Sequence, residues 1–379
     1  MTNKLKNPLY ISSPLLPDLQ DFNNILRKIW DKRYVTNHGF YHNKLEMELK
    51  NKFSVPNLKI FNNGTIALLV ALKMFDFNPG DEIITTPFTF AATPHSIIWN
   101  NLKPVFVDIE EESMNIDPES IEMAITPKTK AILAVHVYGN ICNLEKLDYI
   151  AKKYNLKLIY DSSHAFNTMY KGKHIGLFGD ASTFSFHATK LFNTIEGGAI
   201  ITPNISDAEK LYMLRNFGIK NEEEIIDIGI NGKLNEIQAA IGLLNLNIFE
   251  DEVQKRKILR QKYNKIFSNF KGILIQDDNI NYTNSQQYYP IRIVETKFGT
   301  NRDKIYSELK RYNIFARKYF HPIATEYLPY KKYKIYSKHI EPIVHNIKNE
   351  VLCMPFHSLV SDEELTLIYK IFDHNYQNK

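Results

Sequence analysis

The stretch KAILAVHVYGNICNLEKLDYIAKKYNLKLIYD, residues 130–161, decides the fold class. Its two ends are apolar on both sides of the pleat, as strands are when helices cover each face of their sheet. Between them Leu144 to Tyr154 reads as a helix, with Asn143 in the N-cap position. Strand, helix and strand in succession form the crossover unit of a parallel sheet.

The same alternation continues outward. The runs LKIF, DEIITT and KPVFVD precede this unit, and STFSF and GAIIT follow it. Helical segments separate them: one from Ile66 to Met74 that opens at Gly64, and a short one closed by Ile97 and Trp99. A mostly parallel, doubly covered sheet is therefore expected between Leu58 and Ile201. From Leu234 to Phe267 the spacing of Ile237, Ile241, Leu244 and Ile248 predicts one or two long helices leaving that domain. Beyond them come a strand at Tyr288 to Val294, a helix at Arg302 to Tyr312, an IFAR strand and a terminal helix after Asp362, which together make a small α+β domain. The expected division is residues 1–250 and 251–379.

Composition narrows the function classes. The chain has 379 residues, 44% of them hydrophobic, enough for a large buried core. Its 47 basic and 42 acidic residues leave a net charge of only +5, spread without a polybasic stripe, so no nucleic-acid partner is expected. Cys142 and Cys353 form no CxxC pair, which argues against a disulfide framework or a metal site and for a reducing cytoplasm. Pro8, Pro14 and Pro17 interrupt the first apolar residues, and no run of about 18 apolar residues occurs. A soluble cytoplasmic protein without a membrane partner is the expectation.

Three places carry chemistry. Asn63-Gly64-Thr65 lies between a strand and a helix start, where free amides and the helix dipole favour an anion such as phosphate. Ordinary glycine turns look the same, so this tripeptide needs support from elsewhere. Asp161 ends a buried strand, and ligands of open α/β sheets collect at such ends. A carboxylate there suits the ring nitrogen of a pyridine cofactor, although a capping aspartate is the plainer reading. Lys190 follows the strand ending at Ser185-Phe186, inside FSFHATKLFNTIEGGAI, residues 184–200. Most lysines are solvated surface residues. Here Ser185, a possible phosphate ligand, the polar His187 and Thr189, and the close approach allowed by Gly197-Gly198 set Lys190 apart as an amine for Schiff-base chemistry.

These motifs, with HNKLEMEL, NNGTIALLVAL, TTPFTFAATPHSI, YDSSHA, EGGAIIT and GINGKLNEIQAAIGL, resemble the DegT-type nucleotide-sugar aminotransferases in the same order over nearly the whole chain. The resemblance implies an aspartate aminotransferase-like α/β fold, whose large domain holds a mixed, mostly parallel seven-stranded sheet. It also implies pyridoxal 5'-phosphate as cofactor, with Lys190 as the Schiff-base lysine and proton shuttle and Asp161 as the ring-nitrogen partner. Gly64, Thr65 and Ser185 would hold the phosphate. Phe90 would stack on the ring, and His164 would stand near its phenolic oxygen. Asn231 would reach the phosphate of a neighbouring subunit, which implies a homodimer with shared active sites.

L-glutamate and a keto-sugar nucleotide are the implied substrates. FHATK, FNTIEGGA and GINGK are similar to the branch that aminates C4 of dTDP-4-keto-6-deoxyglucose for surface polysaccharides such as O antigen. A C3 aminotransferase would use the same machinery, and a non-catalytic regulator is a third reading. Two departures from the commoner pattern are Asn63 in place of Ser and Lys233 in place of Arg. Dehydrating relatives carry His at the lysine position, so Lys190 argues for amino transfer. His187 is a possible sugar contact. Tyr319, His321 and the residues around His38-Gly39-Phe40 are weaker pocket candidates.

Overall fold

The computed structural model describes residues 4–276, 282–332 and 342–377. At its centre is a seven-stranded sheet whose spatial order is Leu58–Phe61, Gly198–Ile201, Ala181–Ser185, Lys157–Asp161, Thr129–Val135, Glu82–Thr85, Lys103–Phe106. Gly198–Ile201 runs antiparallel to both neighbours. The other pairings are parallel.

Successive residues of a strand point to opposite faces, and the core shows the result. Ile132 and Ala134 join one hydrophobic cluster, with Ile60, Ile84, Leu158, Tyr160, Ala199 and Ile201. Their immediate neighbours Ala131, Leu133, Phe61, Ile83, Ile159 and Ile200 join a second. Two apolar faces need two helical layers. The helices Gly64–Lys73 and Ala92–Trp99 fall on one, and Phe40–Phe53 and Leu144–Tyr154 on the other. Asn143 caps the last through Lys146 N–H at 3.2 Å, as its position in sequence suggests.

The stretch expected to form one or two helices is a single one, Glu236–Phe267, about 48 Å long at 1.5 Å per residue. Its first eighteen residues pack Ala239, Phe249 and Val253 into the first cluster. Its C-terminal half buries Leu259, Tyr263 and Phe267 in a separate cluster with Ile291, Leu309, Leu352 and Phe372. That cluster is built around a three-stranded antiparallel sheet of Ile273–Ile275, Tyr289–Ile293 and Val351–Met354, flanked by the helices Arg302–Arg311 and Asp362–Gln377. The chain's beginning returns to it: Leu9–Tyr10 pairs parallel with Ile314–Phe315, and Leu9 is buried there. Among the described residues no helix is long and apolar enough to cross a membrane.

One buried charged cluster ties the helix Phe40–Phe53 to the sheet. Arg215 Nη1 donates to Glu46 at 2.9 Å and to the Ile60 carbonyl at 2.8 Å, and Lys59 reaches Glu46 at 3.1 Å. Burial pushes the Glu46 carboxyl up, but Arg215 and Lys59 overcome it and hold it down to about 2. Burial, then Arg215, lowers His38 to about 3 and His42 to about 4. In each case the unfolded chain binds the proton more readily than the folded one. Stability is therefore lost as pH falls, first below the ordinary histidine value of 6.5 and again from 4.5 towards 2. Urea midpoints between pH 8 and 3 should show both losses. Arg215→Met should cost about 3–5 kcal/mol at pH 7 by leaving a buried carboxylate short of its main partner, and should flatten the loss below pH 4.5.

Candidate active site

The parallel strands deliver their carboxyl ends to one edge of the sheet, and a cavity of about 560 Å³ opens there. Eight of the nine residues singled out in the sequence line it. Gly64 and Thr65 start the helix after the first strand, and Asp161 and Ser185 end two others. Phe90, His164, His187 and Lys190 come from the loops beyond strand ends.

Asn231 is not among them. It is exposed outside the cavity of its own chain, bridged to Asn216, and its carbonyl accepts from Asn62 Nδ2 at 3.4 Å. Of the weaker candidates, Tyr319 lines the cavity and His321 does not. His38, Gly39 and Phe40 line a separate pocket beside Glu236.

Local packing explains the glycines. Asn63 Oδ1 accepts Ile66 N–H at 2.8 Å, so the asparagine that replaces the commoner serine caps the helix as serine would. The amides of Gly64 and Thr65 precede the helix's own acceptors and remain for a ligand. A Cβ at position 64 would sit 2.8 Å from Ser185 Cβ, and one at 198 would sit 2.7 Å from the Asn63 carbonyl. Only glycine lets the serine hydroxyl and the helix start share one small space.

Asp161 is 5% exposed. Among the described residues its oxygens take neutral donors: Thr93 Oγ1 at 2.7 Å on Oδ2 and Ser163 N–H at 3.1 Å on Oδ1. Thr89 Oγ1 lies 2.9 Å from Thr93 Oγ1 and steadies it. A buried carboxylate is costly unless a cation meets it. This one opens on the cavity, which suits a protonated ring nitrogen.

Lys190 stands partly open to the cavity, but the surrounding protein desolvates its amine enough to lower it to about 8, against the opposing pull of Asp161. Tyr288 lies over it, 5.8 Å from amine to ring centroid. A working fraction of neutral amine is thus present near neutral pH.

The two histidines differ. His164 is buried, with Nδ1 accepting Tyr138 N–H at 3.2 Å, so its hydrogen sits on Nε2. Tyr288 meets the ring edge-on at 4.9 Å and Phe320 lies nearly parallel to it. Burial, then Lys190 and His136, hold its pKa well below the ordinary range, so it is neutral. His187 is exposed at the mouth; Nδ1 accepts Thr189 N–H at 3.2 Å, and Nε2 lies 3.5 Å from Glu196.

Thr93, Tyr288 and Phe320 shape the site without having been singled out in the sequence. Thr93 lies 68 residues before the carboxylate it serves, and Tyr288 and Phe320 come from the C-terminal third. No local pattern marks them.

The set suits pyridoxal phosphate: an anion-binding helix start with a serine beside it, a buried carboxylate facing the cavity, and a partly desolvated lysine. Known proteins point the same way. The chain is 40% identical to the Escherichia coli dTDP-4-amino-4,6-dideoxy-D-glucose transaminase over 95% of its own length and 97% of that protein's. It is 34% identical to the dTDP-3-amino-3,6-dideoxy-alpha-D-galactopyranose transaminase of Aneurinibacillus thermoaerophilus, over 80% of this chain and 81% of the other. The crystal structure of DesI in the presence of its TDP-sugar product superposes with a TM-score of 0.93 at 28% identity, covering 100% of this chain and 95% of that one. Residues 18–373 match the family model as one continuous region, and the chain belongs to the DegT/DnrJ/EryC1/StrS aminotransferase family.

Proposed function

We propose that the chain transfers the amino group of L-glutamate to C4 of a nucleotide-linked keto-deoxysugar. The substrate is dTDP-4-keto-6-deoxy-D-glucose and the product dTDP-4-amino-4,6-dideoxyglucose, destined for O antigen or a related surface polysaccharide. The observation that carries this reading is the partly desolvated amine of Lys190 sharing a cavity with the buried carboxylate of Asp161. The 40% identity to a C4 transaminase supports the choice of sugar carbon.

Bound pyridoxal 5'-phosphate supplies a protonated ring that takes up the electron pair left when a carbon loses its proton. The chain supplies the rest. Gly64, Thr65 and Ser185 bind the phosphate, and Phe90 covers the ring. Asp161 keeps the ring nitrogen protonated, its own oxygens aimed by Thr93 and Ser163 N–H. The neutral His164 offers Nε2–H to the phenolic oxygen. Lys190 Nζ would carry the proton from the amino-acid carbon to the cofactor's C4′ carbon in the first half reaction, and from C4′ to the sugar carbon in the second. His187, backed by Glu196, contacts the sugar.

Asn231 serves the phosphate of a second subunit, which makes the protein a homodimer with shared active sites. Its exposure outside its own cavity supports this, as do exposed Phe217, Ile225, Ile226 and Ile228 nearby in sequence. The large cofactor-binding domain spans 1–250 and the small α+β domain 251–379; the apolar cluster around the three-stranded sheet, separate from those on the two faces of the large sheet, supports the division. The protein works in the cytoplasm, where the buried free thiols of Cys142 and Cys353 stay reduced.

Three measurements test the assignment. In the cofactor-free chain, amine-directed labelling of Lys190 read by mass spectrometry should rise with pH through about 8, well below the 10.5 of an ordinary lysine; a midpoint near 10.5 would contradict the site. Lys190→Ala should abolish both half reactions, and Asp161→Asn should lower kcat on the order of 10²–10³-fold, the usual loss for one preorganised electrostatic group. The holoprotein incubated with glutamate and a panel of keto-sugar nucleotides should yield a C4 amine by NMR. An amine at C3 would move the assignment to the galactopyranose-type relative, and a visible absorbance indifferent to glutamate would mark a regulator.

A further inference from the structure

We propose that Gln287 is a positioning residue for Lys190, holding the two peptide groups on either side of it with a single side chain. The inference rests on the reading of Lys190 as the working amine. Gln287 Oε1 accepts Leu191 N–H at 2.7 Å, and Gln287 Nε2 donates to the Thr189 carbonyl at 3.1 Å. Leu191 N–H belongs to the peptide after Lys190 and the Thr189 carbonyl to the peptide before it. One planar amide thereby orients both planes that meet at the Lys190 Cα. Lys190 N–H itself donates to the His187 carbonyl at 2.8 Å, which closes the turn.

The clamp is braced in its turn. Gln287 is 5% exposed, and its N–H donates to Ser285 Oγ at 3.3 Å. On its flanks, Arg256 donates to the Gln286 carbonyl at 3.4 Å, and Arg260 donates to Gln286 Oε1 at 3.1 Å and to the Tyr288 carbonyl at 2.7 Å. Both guanidinium groups are buried on the long helix, and Glu252 pairs with Arg256 at 2.6 Å. The residue after the clamp, Tyr288, is the ring lying over the Lys190 amine. One short segment therefore fixes the backbone beneath the amine and the wall above it.

The chemistry explains why this side chain is a glutamine. The loop presents a donor and an acceptor a few ångströms apart, and a primary amide offers the matching acceptor and donor in one plane. Glutamate keeps the acceptor, loses the donor, and brings a negative charge to the loop of Lys190. Methionine keeps the length and loses both bonds. Proton shuttling tolerates little error: a misplacement of about 1 Å costs roughly 10²-fold in rate.

The test compares Gln287→Met and Gln287→Glu with the wild-type holoenzyme, and repeats the pH-dependent labelling of Lys190 on each cofactor-free chain. Gln287→Met should lower kcat by roughly 30–100-fold with KM for glutamate changed less than about threefold, and should move the Lys190 labelling midpoint upward as water enters the loosened turn. Gln287→Glu, which conserves shape and one bond, should remain folded by circular dichroism and also raise that midpoint through its charge. A folded Gln287→Met with kcat within threefold of wild type, or a Gln287→Glu whose midpoint does not move, overturns the inference. A wild-type chain whose Lys190 titrates like a solvent lysine sinks the reading of the site itself, a result separable from failure of the variants.

Discussion

A carboxyl group, that of Asp161, held nearly dry at the end of a strand is the constraint around which this structure is arranged. Burying a carboxyl group there is tolerated only if its oxygens are hydrogen-bonded and a complementary group can meet it from the open side. The Thr89–Thr93 pair and Ser163 N–H meet the first condition, and the cavity provides for the second. An amine in the same cavity is desolvated by the surrounding protein, which lowers Lys190 to about 8 against the opposing pull of Asp161. Carboxyl group and lysine thus share one cavity.

Rigidity is what the sheet contributes. Its strands are buried on both faces, so neither Asp161 nor Ser185 can shift without disturbing packed side chains on two sides. The loops carrying Lys190 and His187 lack that protection. Their order comes in part from hydrogen bonds within the turn and from the two that Gln287 makes to it, in the segment leading into Tyr289–Ile293, whose carbonyls are held by Arg256 and Arg260. The long helix matters here because it is continuous: it enters the first core, carries the two arginines through the crossing, and ends in the second core.

Much of the fold was legible in advance. Every strand of the central sheet coincides with an apolar run, because strands covered on both faces must be apolar on both. The helix starts at Gly64 and Leu144 were legible because their caps are local, with Asn63 and Asn143 three residues from the amides they accept. The helix Phe40–Phe53 had no such sign. Its first amides, Tyr41 and His42 N–H, are accepted by Glu236 at 2.9 and 2.8 Å, a carboxylate almost two hundred residues away.

The lysine, the carboxyl group and the helix start that line the cavity stand in short motifs tied to strand ends, and so the sequence by itself determined the fold class and singled out these positions. Which side chains aim and shield them was decided only in three dimensions. Thr93 beneath Asp161, Gln287 across the Lys190 turn, and Tyr288 and Phe320 against His164 come from segments far apart in the chain. Their contribution is direction and desolvation, which depend on distance and packing rather than on residue type or spacing, and neither exists until the chain has folded.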